Sequence, residues 1–219
     1  LREEDGVKQT IIPADLTFTV KHLNKSLFSF GSDYQHGTYK TFAEVSGITT
    51  RGNDASAYNV GVFAQEELIL DKWVIRAGGR YNDTKSTYDR LGGTIPQINN
   101  ESWNKFLWSG GVKYNVNEHV SLYSNGGSSF LPPSAKSVGG TLKSSDLGIP
   151  GRNGQLPNPN LKPESGLGID GGLNWGPLQN VKTGLRGFYN LVDDAIVENR
   201  VSLDPSQSQS VNAGKATSY

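Results

Sequence analysis

The sequence predicts an all-β protein, an antiparallel transmembrane β-barrel for which the 219 residues supply about nine strands. Three observations lead to this fold class. Long segments alternate apolar and polar residues, the connections between them alternate in length, and aromatic residues recur at a regular separation. Side chains alternate between the two faces of a strand, so each segment builds a wall with one apolar and one polar side. A barrel in lipid requires such walls.

The alternation is clearest between residues 73 and 82. One side of this segment carries Trp73, Ile75, Ala77, Gly79 and Tyr81, and the other carries Val74, Arg76, Gly78, Arg80 and Asn82. Segments 106–115 and 167–175 alternate in the same way. Strands of soluble sheets usually run ~5–6 residues, so these lengths favour a membrane span over a soluble β-sandwich binding module. A soluble module would express without detergent, whereas a membrane wall is expected in inclusion bodies.

We expect nine strands, with their ends placed to within about 2–4 residues. They lie near residues 14–22, 26–41, 57–69, 73–86, 104–115, 119–130, 165–175, 180–197 and 209–219. The short connections fall at Leu23–Lys25, Leu70–Lys72, Val116–Glu118 and Gly176–Gln179. The long connections span residues 42–56, 87–103, 131–164 and 198–208. Outer-membrane barrels have short periplasmic turns and long extracellular loops, so this order predicts an orientation as well as a fold.

Aromatic residues mark the two expected membrane boundaries. Trp73, Tyr114 and Trp175 lie beside short connections. Tyr81 and Phe106 lie eight residues from the first two, on the same side of their strands. Eight residues at ~3.3 Å rise and ~40° tilt span roughly 20 Å, which is close to the ~25 Å apolar band of such barrels. Aromatic rings prefer these interfaces because they have an apolar body and a wet edge.

Composition excludes several classes of function. Lys and Arg together number 21, as do Asp and Glu, so no net field points to a nucleic-acid partner. The absence of cysteine removes disulfides, thiolate metal sites and cysteine nucleophiles. No apolar run approaches the ~20 residues of a membrane helix. No catalytic constellation is visible in the sequence, and we expect no enzyme activity, no cofactor and no metal site.

The two ends of the chain indicate part of a longer barrel. The sequence has no methionine, and Leu1–Asp5 has no signal-peptide pattern. The last residues, Val211–Tyr219, resemble a strand cut short. Nine strands with open edges in lipid would leave backbone groups unpaired, at several kcal/mol each. We therefore expect the chain to be a section of a larger wall.

Two motifs border the longest loop. Ser129-Phe130-Leu131-Pro132-Pro133 ends one strand, and Asn158-Pro159-Asn160-Leu161-Lys162-Pro163-Glu164 precedes the next. Further motifs are Gly61–Glu67, Ala77–Asn82, Gly187–Asn190 with Asp194–Val197, and Asn212–Lys215. In this order, over residues 57–219, they resemble the TonB-dependent outer-membrane receptor family. We expect structural roles for the motif residues Gln65, Arg80, Phe130, Pro133, Asn158, Pro159, Leu161, Pro163 and Glu164.

The resemblance implies a barrel of about 22 strands with a plugged lumen, in which residues 1–219 would be a mid-to-late part of a single barrel domain. The plug, the terminal strands and the N-terminal region that contacts the TonB energising complex would lie outside the chain. The implied function is active uptake of a scarce ligand across the bacterial outer membrane, most often a ferric siderophore. Its partners would be outer-membrane lipid, the TonB complex and the iron–siderophore. The alternatives are haem or cobalamin uptake in the same family, and a passive porin or adhesin barrel.

Ligand contacts are expected in or near the long loops. Aromatic and cationic side chains suit anionic catecholate or hydroxamate complexes through charge and stacking. The candidates are Tyr39, Tyr88, Arg90, Trp103 and Arg152. Among the histidines, His36 alone lies high enough in the predicted strands to contact haem or a metal, because His22 and His119 lie beside short turns.

Overall fold

Nine strands pair into one antiparallel sheet in the computed structural model, which describes residues 3–45, 47–178 and 181–219. In chain order the strands are β1 (Glu3–His22), β2 (Ser26–Val45), β3 (Ile48–Leu70), β4 (Trp73–Arg90), β5 (Asn100–Asn115), β6 (Val120–Leu131), β7 (Gly154–Leu156), β8 (Glu164–Leu178), β9 (Val181–Asp193), β10 (Ile196–Ser202), β11 (Gln207–Asn212) and β12 (Lys215–Ser218). A five-residue helix, α1 (Ala135–Gly139), interrupts the longest loop.

The large sheet has the strand order β1-β2-β3-β4-β5-β6-β8-β9-β12, with β1 and β12 at its edges. A second sheet of three strands has the order β10-β11-β7, and β11 runs parallel to β7. The all-β antiparallel architecture is therefore confirmed. The strands predicted to span the membrane form one continuous sheet, whereas a β-sandwich would have two packed sheets of similar size.

Strands β2 and β3 reach further than the sequence predicts. Residues 42–56 were expected to form a long loop, but β2 continues to Val45, where it pairs with Ile48 of β3. The expected loop at 87–103 is likewise reduced to residues 91–99. Above the expected lipid band both faces of a strand meet water, so apolar alternation ends there. The ladder hydrogen bonds continue, and they leave no local sequence pattern.

The last two predicted strands are each broken in two. Segment 180–197 is split after β9, where Asp194 has a φ of 55°, and segment 209–219 is split at Gly214, where φ is 84°. Ala195 N donates to Gly214 O at 3.1 Å, which joins the two breaks. The chain between them forms the β10–β11 hairpin, so the expected loop at 198–208 lies within that hairpin. The alternation of apolar residues does not reveal a single left-handed residue.

The predicted turn at Gly176–Gln179 falls partly outside the described residues, which include Leu178 and resume at Val181. The expected loop at 131–164 contains α1, a 3₁₀ turn at Ser144–Asp146 and strand β7. No helix in the described parts of the chain has the length and apolar character needed to cross a membrane.

Candidate functional site

The large sheet has two chemically different faces, which follow from its register. Directly paired residues share a face, so Val62, Tyr81 and Phe106 lie together on one side, which we call the apolar face. Arg80 and Asn82 lie on the opposite side, the polar face. The connections at 71–72 and 116–119 define the short-turn end of the sheet. Residues 91–99, 132–163 and 194–214 lie at the other end and together form what we call the cap.

The apolar face is built to meet an apolar surrounding. Phe106 is 64% exposed and Leu185 is 76% exposed, although both side chains are strongly apolar. Trp73 and Tyr114 pack their rings at 4.5 Å between centroids beside the short turns. Large exposed apolar areas of this kind mark interaction surfaces, and along strands of this length the matching surface is lipid.

Ion pairs brace the polar face. The guanidinium of Arg80 donates to both carboxylate oxygens of Asp33, at 2.5 and 2.7 Å, and its Nε donates to Asn82 Oδ1 at 2.6 Å. Asp33 lies on β2 opposite Gly61 of β3, and Arg80 lies on β4 opposite Phe63, so the Arg80 side chain reaches Asp33 by passing over Gly61. The structure thus places the motif residue Arg80 in a bidentate pair that crosses a strand.

Two other motif residues, Gln65 and Phe130, lie within strands of the large sheet. Gln65 is exposed on the polar face, where it pairs in register with Gly78. Phe130 is half-buried on the apolar face opposite Ser165.

A buried amide fastens the cap to the sheet. Asn53 of β3 is 2% exposed, and its Nδ2 donates to Gly140 O at 2.9 Å. Its Oδ1 accepts from Gly92 N at 2.8 Å, and its own N donates to Thr41 Oγ1 at 2.8 Å. One side chain therefore joins β3 to two loops, and both polar atoms of its amide have a hydrogen-bond partner at a normal distance.

The motif at 158–164 anchors the β10–β11 hairpin. Asn158 Nδ2 donates to Ser210 O at 2.9 Å, and Glu164 Oε1 accepts from Ile196 N at 2.6 Å. Pro159 and Pro163 are half-buried between these two anchors, and their fixed φ suits a chain that re-enters a strand. The motif residues are thus held to the hairpin by hydrogen bonds at both ends.

Asn212 completes this connection from the side of the hairpin. Its Oδ1 accepts from Lys162 N at 2.9 Å, and its Nδ2 donates to Lys162 O and Asp194 O at 2.9 and 2.8 Å. The motif before β8 and the motif before β12 therefore contact each other directly. Only the backbone of Lys162 takes part, and its side chain is exposed.

Gln207 organises the outermost loop segment. It is 1% exposed, and its Nε2 donates to Asp146 O and Arg152 O at 2.8 and 2.6 Å. Its Oε1 accepts from Gly148 N at 2.9 Å. This set of bonds holds residues 146–152 against the turn of the β10–β11 hairpin.

A small apolar cluster also joins the cap to the sheet. The buried members are Ala55, Tyr88, Leu91, Val138 and the motif residue Leu161. They come from β3, β4, the connection at 91–99 and the long loop at 132–163, so the long loop folds back onto the polar face of the sheet. Apolar burial and the buried amides together give the cap a defined position.

Next to this cluster lies a cavity of about 350 Å³. Its floor is the polar face of β2, β3 and β4, and its roof is the segment Pro132–Ala135, which includes the motif residue Pro133. Tyr39 and Tyr88 both line it. Among its described lining residues there is no Asp, Glu, Lys, Arg or His. Hydroxyl and amide groups supply its polarity, and Thr84 Oγ1 donates to Asn59 Oδ1 at 2.8 Å in the floor.

The cavity lies beyond the expected lipid band. Tyr88 is fifteen residues along β4 from Trp73. At ~3.3 Å rise and ~40° tilt this separation is roughly 38 Å, compared with an apolar band of ~25 Å. Burial raises the pKa of the Tyr88 phenol above its usual range, so this group stays neutral at physiological pH.

The structure brings together two of the five predicted ligand contacts. Tyr39 and Tyr88 share the cavity, whereas the other three lie outside its lining. Arg90 donates to Gly93 O at 2.9 Å, Trp103 is half-buried on β5 opposite Thr84, and Arg152 is exposed on the cap.

The histidines do not converge on this cavity. His36 lies on the apolar face, opposite Tyr58, and so faces away from it. His22 Nε2 lies 2.8 Å from Glu66 Oε1 on the same face near the short turns, and His119 Nδ1 lies 3.0 Å from Gly176 O. Within the described ranges no three His, Cys, Asp or Glu side chains are grouped so that they could hold a metal ion.

Sequence reasoning did not identify Asn53 and Gln207 as cap residues. Asn53 lies in a short polar run, Arg51-Gly52-Asn53-Asp54, which is typical of a solvated loop. Its partner Gly140 is 87 residues away, and Gln207 reaches Gly148 across 59 residues. The sequence gives only a weak signal for these two residues. An amide side chain within a long loop can bridge to another loop, but nothing in the sequence identifies the partner to which it bonds.

Comparison with known proteins agrees with this geometry. Residues 5–219 match the family described as TonB dependent receptor-like, beta-barrel. No curated protein matches the sequence. Among solved structures, the copper transporter OprC is similar, with a TM-score of 0.76 and 16% identity over 96% of this chain and 33% of that one.

Two further structures have the same fold. The FrpB iron transporter from Neisseria meningitidis (F3-3 variant) has a TM-score of 0.68 and 17% identity, covering 96% of this chain and 32% of its own. A double mutant of the Serratia marcescens hemophore receptor HasR, in complex with its hemophore HasA and heme, has a TM-score of 0.69 and 16% identity, covering 98% and 38%. This chain therefore spans about a third of the length of the structures it matches. At these identities the likeness shows the fold.

Proposed function

Because the chain belongs to the TonB-dependent receptor family, in its β-barrel domain, we propose that it is a section of wall from an outer-membrane receptor that actively takes up a scarce ligand, a ferric siderophore. Residues 1–219 form part of a single barrel domain in this proposal. The apolar face lies in lipid, the short-turn end faces the periplasm, and the cap faces the cell exterior. The energy for uptake comes from the TonB complex through a part of the protein outside this chain.

The observation that carries the proposal is the structured cap on the polar face. Long loops without a function are usually mobile, whereas this cap is joined to the sheet by buried Asn53 and by the bonds of Glu164 and Asn212. It covers one side of a cavity at the loop end, where an external ligand would arrive.

The names of the similar structures agree with a metal-bearing cargo. They are a copper transporter, an iron transporter and a receptor solved with heme. In this proposal exposed Arg152 and half-buried Arg90 lie near the path of an anionic ferric complex, together with Trp103. Cations at such positions attract anions and aromatic groups stack on their ligands.

The proposal is tested by uptake of radioactive ferric siderophores in cells that produce the full-length protein, with and without a functional TonB complex. We expect saturable uptake that is lost when TonB is absent. Uptake that continues without TonB, and does not saturate, would contradict active transport and point to a passive porin. TonB-dependent uptake of labelled haem or cobalamin, without uptake of any ferric siderophore, would assign a different ligand within the family.

A further inference from the structure

We propose that the cavity between the polar face of β2–β4 and segment 132–135 binds a neutral, hydroxyl-bearing ring of the ligand, such as a glycosyl unit. The proposal rests on the uptake function only in assuming that the ring is part of an imported ligand. It differs from the expectation of an anionic catecholate or hydroxamate group at Tyr39 and Tyr88. The chemistry of the residues that line the cavity supports the neutral ring.

The lining combines flat apolar surfaces with neutral hydrogen-bonding groups. Tyr39 and Pro132, both half-buried, offer ring faces and C–H groups against which the C–H face of a sugar can pack, whereas Tyr88 and Pro133 are themselves buried. Gln35, Asn59 and several Ser and Thr residues offer both donors and acceptors. This pairing of apolar faces with a few polar groups is typical of small-molecule sites. A hydroxylated ring presents the complementary pattern.

An anion is disfavoured in this cavity. Transfer of an ionised group from water into a recess without a charged partner carries a large desolvation cost. The neighbouring recesses of the polar face differ in this respect. One contains Arg80, another contains Asp170 with Arg186, and a third contains Lys113 with Lys182. The cavity near Tyr39 therefore differs chemically from the rest of the polar face, and that difference selects against charge.

Size limits what enters the cavity. Its volume of about 350 Å³ is near the lower end of the range of roughly 300–1,000 Å³ for small-molecule sites. A single ring with its substituents fits such a volume. The roof and floor are held by the Asn53 bonds and by the apolar cluster around Val138. A preorganised site of this kind loses little conformational freedom on binding.

The test compares two probes that differ by one charged group. The full-length protein in detergent is titrated with methyl glucoside and, separately, with methyl glucuronide, in which a carboxylate replaces the hydroxymethyl group. Binding is followed by saturation-transfer NMR. The same titrations are made on Tyr39→Ala, which changes the cavity, and on Tyr34→Ala, which removes a 43% exposed tyrosine from the apolar face of the same strand.

We expect the glucoside to bind at least tenfold more tightly than the glucuronide, Tyr39→Ala to weaken glucoside binding at least tenfold, and Tyr34→Ala to leave it unchanged. Equal or tighter binding of the glucuronide, no binding of either probe, or equal effects of the two variants would overturn the proposal. The comparison of probes on the unmodified protein needs no variant, so misfolding of Tyr39→Ala does not remove the test. Siderophore uptake that persists without glucoside binding would reject this inference while the proposed function stands, and glucoside binding without TonB-dependent uptake would do the reverse.

Discussion

Gly61 shows how a single residue decides the chemistry of the wall. It pairs in register with Asp33 on one side and Asn82 on the other, on the polar face, and the Arg80 side chain reaches Asp33 over the space that a side chain of residue 61 would fill. A Cβ at this position would meet the Arg80 guanidinium and would lie 2.9 Å from Asp33 Oδ2. The bidentate pair across three strands therefore exists because this residue is glycine. The backbone of Gly61 needs no special φ, so the requirement is one of space.

Substitution Gly61→Val is expected to break the Asp33–Arg80 pair. Both side chains are about 30% exposed, so the cost is that of a partly solvated pair, about 1–2 kcal/mol of unfolding free energy. Urea titration of the full-length protein folded into lipid vesicles measures it. Gly187→Val is the matched control, because a Cβ there meets nothing within 4 Å. A loss of stability as large for Gly187→Val as for Gly61→Val would show that the pair is not the cause.

At the scale of whole elements, the cap is assembled by hydrogen bonds between its loops and the hairpin. Glu164 is the first residue of β8, and its carboxylate accepts a hydrogen bond from the backbone N of Ile196 at the start of β10. Asn212 ends β11 and bonds both the backbone of Lys162 and Asp194 O. The hairpin is thereby fixed at both of its ends to the segment that leads into β8. This arrangement gives a structural reason for the motif at 158–164.

Removal of these anchors should free the hairpin without unfolding the wall. In Glu164→Ala and Asn212→Ala we expect the amides of residues 196–212 to exchange hydrogen at least tenfold faster. A lost hydrogen bond costs about 0.5–1.5 kcal/mol, or about 1.5–3 kcal/mol where one partner is charged, and about 1.4 kcal/mol is a tenfold change. Hydrogen-exchange mass spectrometry of the full-length protein measures this. Lys162→Ala is the control, because only its backbone bonds to Asn212. Unchanged exchange in the first two variants, or equal acceleration in the control, would contradict the anchoring role.

Much of the sheet could be predicted because its signals are local. Alternation between Trp73 and Asn82 predicts which residues share a face, and the short connection after β5 predicts its antiparallel neighbour. The extension of β2 to Val45 could not be predicted, because strands above lipid carry no apolar pattern. The left-handed turn at Asp194 is equally invisible, since aspartate is compatible with several conformations.

The candidate site was less predictable than the fold. Tyr39 and Tyr88 were expected near ligand, and the structure places both in one cavity. The neutrality of that cavity depends on which face each neighbour occupies and on where Pro132–Ala135 lies after the loop folds back. These are long-range facts, as is the bond from Asn53 to Gly140, 87 residues away. A position near the long loops therefore predicted which residues could contact a ligand. The chemistry of the cavity that they line depends on tertiary contacts.

At the scale of the whole molecule, the chain has a direction as well as two faces. Short turns and the Trp73–Tyr114 pair lie at one end, and the cap with its cavity lies at the other. The apolar face between them is exposed over most of its length. In the proposed receptor this direction assigns the short-turn end to the periplasm and the cap to the exterior. A ligand from outside then meets the cap first.

Site-specific labelling of intact cells tests this orientation most directly. The chain contains no cysteine, so Leu203→Cys, at a position 77% exposed in the cap, and Lys72→Cys, in an exposed short turn, each add one reactive thiol to this region. The full-length protein is treated on whole cells with a maleimide attached to a polymer too large to cross the outer membrane. We expect Leu203→Cys to react at once and Lys72→Cys to react only after that membrane is permeabilised. Labelling of Lys72→Cys on intact cells, or failure of Leu203→Cys to react there, would contradict this orientation of the barrel.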